Sequence, residues 1–158
     1  RMPNSEAWLF LGKALGANPL PMAFTEIYTA LQTGAIDGQD NPLPTDKDSK
    51  FYEVTKQIVL TSHLVDQNYL AFSKKVWDKF TPDQQATLQK AADAAAEAAR
   101  EAQLKLEDDL VYFFKQQGLK VYAPDVAAFR KKVQADYLTS KFAKDWPAGL
   151  VDKINAIQ

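Results

Sequence analysis

FTEIYTALQTGAIDGQDNPLP, residues 24–44, carries the alternation on which the fold class turns. Thr25 with Glu26 behind it is a helix start, Ile27, Ala30 and Leu31 share one helical face, and Gly34 is the stop. Ala35-Ile36-Asp37 then offers a short strand. Pro42 suits the first turn of a further helix, where its missing N–H costs nothing. The eight residues DGQDNPLP, Asp37 to Pro44, admit two readings. Gly, Asp, Asn and Pro are ordinary turn residues; alternatively, Gln39, Asp40 and Asn41 aim their side chains at a ligand from the end of a strand.

The same alternation extends in both directions. Upstream, SEAWLFLGKALG has a cap at Ser5 and a stop at Gly16, with Trp8, Leu11 and Leu15 along one face. ANPLPMA, Ala17 to Ala23, has prolines at alternate positions, which permits an extended segment at a sheet edge but not a central strand. Downstream, QIVLTSH (57–63) and QNYLAFS (67–73) both read as strands, separated by Leu64-Val65-Asp66. Thr81-Pro82-Asp83-Gln84 combines an N-cap, a first-turn proline and a capping box, and nothing interrupts the helix before Gly118. A helix from Pro82 to Gln117 is roughly 54 Å long. Its first half is rich in alanine, its second half turns bulky at Leu110, Val111, Phe113 and Phe114, and it reads as a spine joining two lobes. LKVYA is a further strand, Asp125 to about Lys144 a helix broken by Trp146-Pro147, and AGLVDKINAIQ a short last helix.

Short extended pieces alternating with helices predict an α/β fold with a mostly parallel sheet. Ligands of such sheets lie at the C-terminal ends of strands, where strand turns into helix. Three successive corners, Arg1-Met2-Pro3-Asn4-Ser5, Phe24-Thr25-Glu26 and Gln39-Asp40-Asn41-Pro42, then offer a guanidinium, an aromatic face and a carboxamide.

Composition removes several function classes. The 158 residues carry 19 Lys+Arg against 20 Asp+Glu, a net charge of -1, so no global field favours nucleic acid or an anionic membrane. There is no apolar run long enough to span a bilayer, and no cysteine to supply thiolate chemistry. The chain starts at Arg1 without an initiator Met and reads as a fragment. Glycine-rich phosphate loops, H-E-x-x-H and G-x-S-x-G are all missing. His63, the single histidine, can be written beside Ser62 and Asp66 as a Ser-His-Asp set, but it reads as a hydrogen-bonded structural residue. Asp37, Asp40, Asp46 and Asp48 lack the spacing of a calcium loop. Arg130-Lys131-Lys132 is the wet face of a helix, and Trp8, Trp77 and Trp146 are packing residues. No metal and no cofactor is expected.

RMPN at the start, ALGANPLPMAFTEIYTALQTGAIDGQDNPL, KFYEV at 50–54 and SKKVWDKFTPDQQ together resemble the C-terminal half of the solute-binding proteins of tripartite ATP-independent periplasmic (TRAP) transporters, the DctP type. The resemblance implies a periplasmic-binding-protein-like fold in which two α/β lobes close on an organic acid and a long helix runs behind both. Residues 1–66 and 107–158 would form most of the second lobe, with 67–106 lent to a first lobe that is mostly absent. Arg1 would form a two-pronged salt bridge with the ligand carboxylate, as a planar guanidinium does and an ammonium does not. Asn4 would add a polar contact, Phe24 would lie against the ligand body, and the amide of Asn41 would reach the same carboxylate. Asp40 stands where Glu is commoner. DGQDNPLP is on this reading a turn and a ligand corner at once.

The implied partners are a small carboxylate ligand, the membrane permease subunits of the transporter and the missing N-terminal half; the implied location is the periplasm. No nucleic acid and no catalysis are expected. Two other classes compete with this reading: an α/β enzyme using Asp37, Asp40 or His63 as acid or base, and a helical interaction protein built on residues 82–117.

Overall fold

The computed structural model describes residues 1–65 and 67–157. Seven α-helices are assigned among them: α1 (Glu6–Ala14), α2 (Ile27–Thr33), α3 (Leu43–Asp48), α4 (Lys74–Trp77), α5 (Pro82–Gln116), α6 (Val126–Leu138) and α7 (Leu150–Asn155). Two short strands, β1 (Gln57–Val59) and β2 (Lys120–Tyr122), pair with each other. The Lys120 N–H donates to the Lys56 carbonyl and the Leu60 N–H to the Tyr122 carbonyl. Both strands therefore rise together, which is parallel pairing. A second, isolated parallel bridge joins Met2 to Pro21, the extended proline-containing edge that ANPLPMA predicts.

Several element boundaries follow from local chemistry. Ser5 Oγ accepts from the Trp8 N–H at 3.4 Å and opens α1. Thr81 and Gln84 exchange the two bonds of a capping box at the head of α5, which runs unbroken for 35 residues. Gly34 closes α2 with φ of 73° and Gly118 follows α5 with φ of 86°, a conformation that costs a residue with a Cβ dearly.

Four expectations are corrected. Thr25 does not cap: a 3-10 turn over Phe24–Glu26 precedes α2, and the Glu26 carboxylate instead accepts the Ala23 N–H at 3.1 Å. No strand is assigned at 35–37, which turn straight out of α2, the Ala35 and Ile36 N–H groups both donating back to Ala30. None is assigned at 67–73 among the described residues, because a strand needs a neighbouring edge as well as suitable side chains. The helix expected from Asp125 to about Lys144 ends at Leu138, where Ser140 accepts the Phe142 N–H and starts a separate 3-10 turn, Lys141–Ala143. Asp66, named in the Ser-His-Asp set, lies outside the described residues.

The chain divides into two compact units. The first comprises Arg1–Asp40, Val59–His63 and Tyr122–Gln158. Ile27 is fully buried in it, with Leu11, Ala14, Ala30, Leu31 and Ile36 also in the core. α1 packs on α6, where the Phe10 and Tyr137 rings meet edge to face at 4.7 Å and Trp146 stacks on Tyr137 at 6.0 Å. A Cβ on Gly12 would sit 2.9 Å from Pro19 Cβ and 3.2 Å from Met2, so glycine there lets α1, Met2 and Pro19 close up beside Arg1.

The second unit comprises Asn41–Ile58 and Leu64–Val121. Its core is Leu110, Phe114 and Leu119, flanked by Leu43, Tyr52, Ile58, Phe113 and Val121. The bulky second half of α5 supplies this core, whereas the alanine-rich first half is mostly exposed.

Candidate functional site

Arg1 enters the first unit at the edge made by Met2 and Pro21, and two bonds fix it. Its Nε donates to the Met22 carbonyl at 2.9 Å, and its backbone nitrogen donates to the Gly38 carbonyl at 2.7 Å. A guanidinium has five donors in a rigid fork. The Met22 carbonyl takes the one on Nε, so the plane of the fork is set by main chain and the paired Nη donors are the ones that match a carboxylate. Gly38 belongs to the stretch Asp37–Asp40, which brings the first and third of the predicted corners together. Met22 comes two residues before Phe24, which brings in the second.

Phe24 is 45 % exposed, so the ring is not a core residue. Asn4 is exposed in the bend ahead of α1. Asn41 is half-buried and is the first residue of the second unit. Pro42 is the N-cap of α3, with Pro44 in its first turn.

The sequence alone misses a polar chain behind this corner. Thr61 Oγ1 lies 2.5 Å from His63 Nδ1, and His63 Nε2 lies 3.4 Å from Asp40 Oδ2. The partners of the histidine are thus Thr61 and Asp40, not Ser62, which is exposed at φ of 46°. Asp40 Oδ1 is buried and has no hydrogen-bond partner among the described residues. Asp40 and Asp37 both lie close enough to the Arg1 backbone nitrogen to act on it electrostatically. The corner therefore mixes two carboxylates with the cationic Arg1 within one unit. The signal in the sequence was available in principle: a lone His and an Asp at the ends of two neighbouring segments. Spacing alone does not pair residues 23 apart.

A cavity of about 590 Å³ lies in the second unit, lined by residues including Tyr52, Glu53, Lys56, Gln117 and Lys120. It opens where β1 and β2 begin, and none of the predicted site residues lines it. Among the described residues no group of three or more His, Asp or Glu is placed to hold a metal ion. Among the described residues no helix is long and apolar enough to cross a membrane.

Residues 1–145 match the family described as bacterial extracellular solute-binding protein, family 7 (DctP). The sialic acid-binding periplasmic protein SiaP of Vibrio cholerae is 39% identical over 157 residues, covering 99% of this chain and 48% of that protein. Among solved structures, a TRAP periplasmic solute-binding protein of Roseobacter denitrificans with bound 3-deoxy-D-manno-oct-2-ulosonic acid is 64% identical with a TM-score of 0.93. The match covers 100% of this chain and 52% of that one. A TRAP periplasmic solute-binding protein of a Polaromonas species, bound to D-erythronate, is 34% identical with a TM-score of 0.86, covering 100% of this chain and 52% of its own. The chain spans about half the length of the relatives it matches.

Proposed function

Because the chain belongs to the DctP family of bacterial extracellular solute-binding proteins and has, over its length, the fold of the two-lobed TRAP periplasmic binding proteins, we propose that the full-length protein captures a small hydroxylated carboxylic acid in the periplasm. It binds without chemistry and hands the acid to the membrane permease subunits of a TRAP transporter for secondary active uptake. The observation that carries this reading is the anchoring of Arg1. With Nε tied to Met22 and the backbone nitrogen tied to Gly38, the guanidinium is held in one orientation before any ligand arrives. Preorganisation of this kind lowers the ordering cost of binding.

In this reading Arg1 pairs with the carboxylate, Asn41 reaches the same carboxylate, Asn4 adds a polar contact, and the exposed ring of Phe24 covers the ligand body. Residues 1–66 and 107–158 belong to the second lobe and 67–106 to the first, most of which is supplied by the N-terminal half found in the relatives. The substrate class is a sugar acid. Two relatives hold acids of that kind, a deoxy-ulosonate and an aldonate, and both are carboxylates bearing several hydroxyls.

Calorimetry on the full-length protein with 3-deoxy-D-manno-oct-2-ulosonic acid, D-erythronate and a neutral hexose tests the proposal. Tight binding of at least one acid with no heat from the hexose is expected. Binding of the neutral sugar as tightly as the acids would overturn carboxylate recognition, and turnover of a bound acid would point to the enzyme reading instead.

A further inference from the structure

The cavity of about 590 Å³ in the second unit takes no part in acid capture as described above, yet its size is that of a small-molecule site, about 300–1,000 Å³. Three pieces of chain wall it: the 3-10 turn Phe51–Glu53 with the residues that follow it, the start of β1, and the segment from Gln117 into β2. These walls are held from behind. Lys50 takes the left-handed φ of 57° from which the 3-10 turn starts. The Tyr52 ring packs edge to face on Phe113 at 5.3 Å and against the fully buried Phe114 at 6.0 Å. Thr55 Oγ1 donates to the Phe51 carbonyl at 3.0 Å, and the Lys120 N–H donates to the Lys56 carbonyl at 3.1 Å, which fixes the two lysine main chains beside one another.

The charged side chains of the lining are Lys56, Lys120 and Glu53. Neither lysine is in an ion pair among the described residues. The end of α5 does not supply the missing counter-charge. The Phe113, Phe114 and Lys115 carbonyls already accept the N–H groups of Gln117, Leu119 and Gly118. An ammonium is a point charge with rotatable donors, whereas a guanidinium is a rigid fork matched to a planar carboxylate. Two ammoniums without a guanidinium therefore suit a tetrahedral dianion, the reverse of the corner at Arg1. The Gln57 and Gln117 amides and the Glu53 carboxylate complete the polar lining, and such groups hydrogen-bond hydroxyls.

We propose that this cavity is a second ligand site, and that it takes a small phosphate monoester bearing hydroxyl groups. Lys56 and Lys120 hold the phosphate, whose charge of about −1.5 to −2 near neutral pH matches two ammoniums. Gln57, Gln117 and Glu53 take the hydroxyls, and the Tyr52 ring lies along the carbon skeleton. The site belongs wholly to the second unit and does not rest on the role given to Arg1.

The test uses the full-length protein with glucose 6-phosphate, inorganic phosphate and glucose as probes. Calorimetry reads affinity, and protection of individual lysines from acetylation, followed by mass spectrometry, reads position. Glucose 6-phosphate should bind and protect Lys56 and Lys120, inorganic phosphate should bind more weakly, and glucose should do neither. Lys56→Gln with Lys120→Gln changes two exposed side chains, so this variant should keep its melting temperature and lose about tenfold in affinity for the ester, the scale of two partly exposed ion pairs. Arg1→Lys should leave that affinity unchanged. Undiminished affinity in the double variant, protection confined to other lysines, or inorganic phosphate binding as tightly as the ester would each overturn the second site. So would loss of ester binding in Arg1→Lys, which would put the phosphate in the acid corner. If the ester protects Lys56 and Lys120 but no sugar acid binds, the solute-capture reading fails and the second site stands.

Discussion

Lysine in place of arginine is the sharpest residue-scale test of the corner, because it keeps the charge and removes the fork. Arg1→Lys leaves a buried carboxylate with one donor where two were parallel, and it also loses the Nε bond that orients the side chain. A charge-assisted hydrogen bond contributes about 1.5–3 kcal/mol, so affinity for acids should fall at least about tenfold by calorimetry; unchanged affinity removes Arg1 from the site. Phe24→Ala separates binding from packing in a different way. The ring is 45 % exposed, so the variant should keep its melting temperature and lose affinity, and a collapse in melting temperature with normal residual binding would return Phe24 to the core. The sequence singles out both residues, through the corner logic of α/β sheets and through family resemblance, as candidates that these measurements decide. The Asp40–His63 contact was not legible there, since it depends on where two segments 23 residues apart come to rest.

At the scale of elements, start and stop signals carried most of the information. Ser5, the Thr81–Gln84 box, Asp125, Gly34 and Gly118 all act where capping chemistry places them. Strands were less legible for a physical reason. A helix satisfies its own backbone, whereas QNYLAFS has strand chemistry without an assigned partner among the described residues. Two predictions belong here. Phe114, fully buried between Leu110, Leu119 and Tyr52, should cost about 3–5 kcal/mol when cut to alanine, read from the shift of the urea midpoint. Tyr137, packed between α1 and the turn after α6, has its phenol pushed above the ordinary 10.0 by burial. Because folding favours the protonated phenol, wild type should lose stability as pH rises above 10.0 while Tyr137→Phe does not. Melting curves of the two proteins between pH 8 and pH 11 should therefore cross or converge towards the variant; parallel curves would mean the hydroxyl is solvated.

At the scale of the molecule, exposed apolar side chains occur along the whole described chain, and one run of them is dense in sequence. Leu64, Val65, Tyr69, Leu70, Phe72 and Val76 are all exposed, Val65 at 89 % and Tyr69 at 79 %. Single exposed apolar residues are ordinary, but a concentration of them marks a surface made to be covered. The relatives are about twice as long as this chain, and the resemblance assigns 67–106 to a lobe built mainly from the part they have in addition. The hydrophobic driving force is non-directional, so without that covering the same side chains bury themselves against other copies. Residues 1–158 produced alone should sediment as a concentration-dependent mixture of monomer and larger species. Tyr69→Lys with Leu70→Lys should shift that mixture towards monomer, since two charges at the centre of the stretch make its burial expensive. A single monomeric boundary for the unsubstituted chain at every concentration would mean that this segment covers itself in solution, and would remove the argument that it belongs against another lobe.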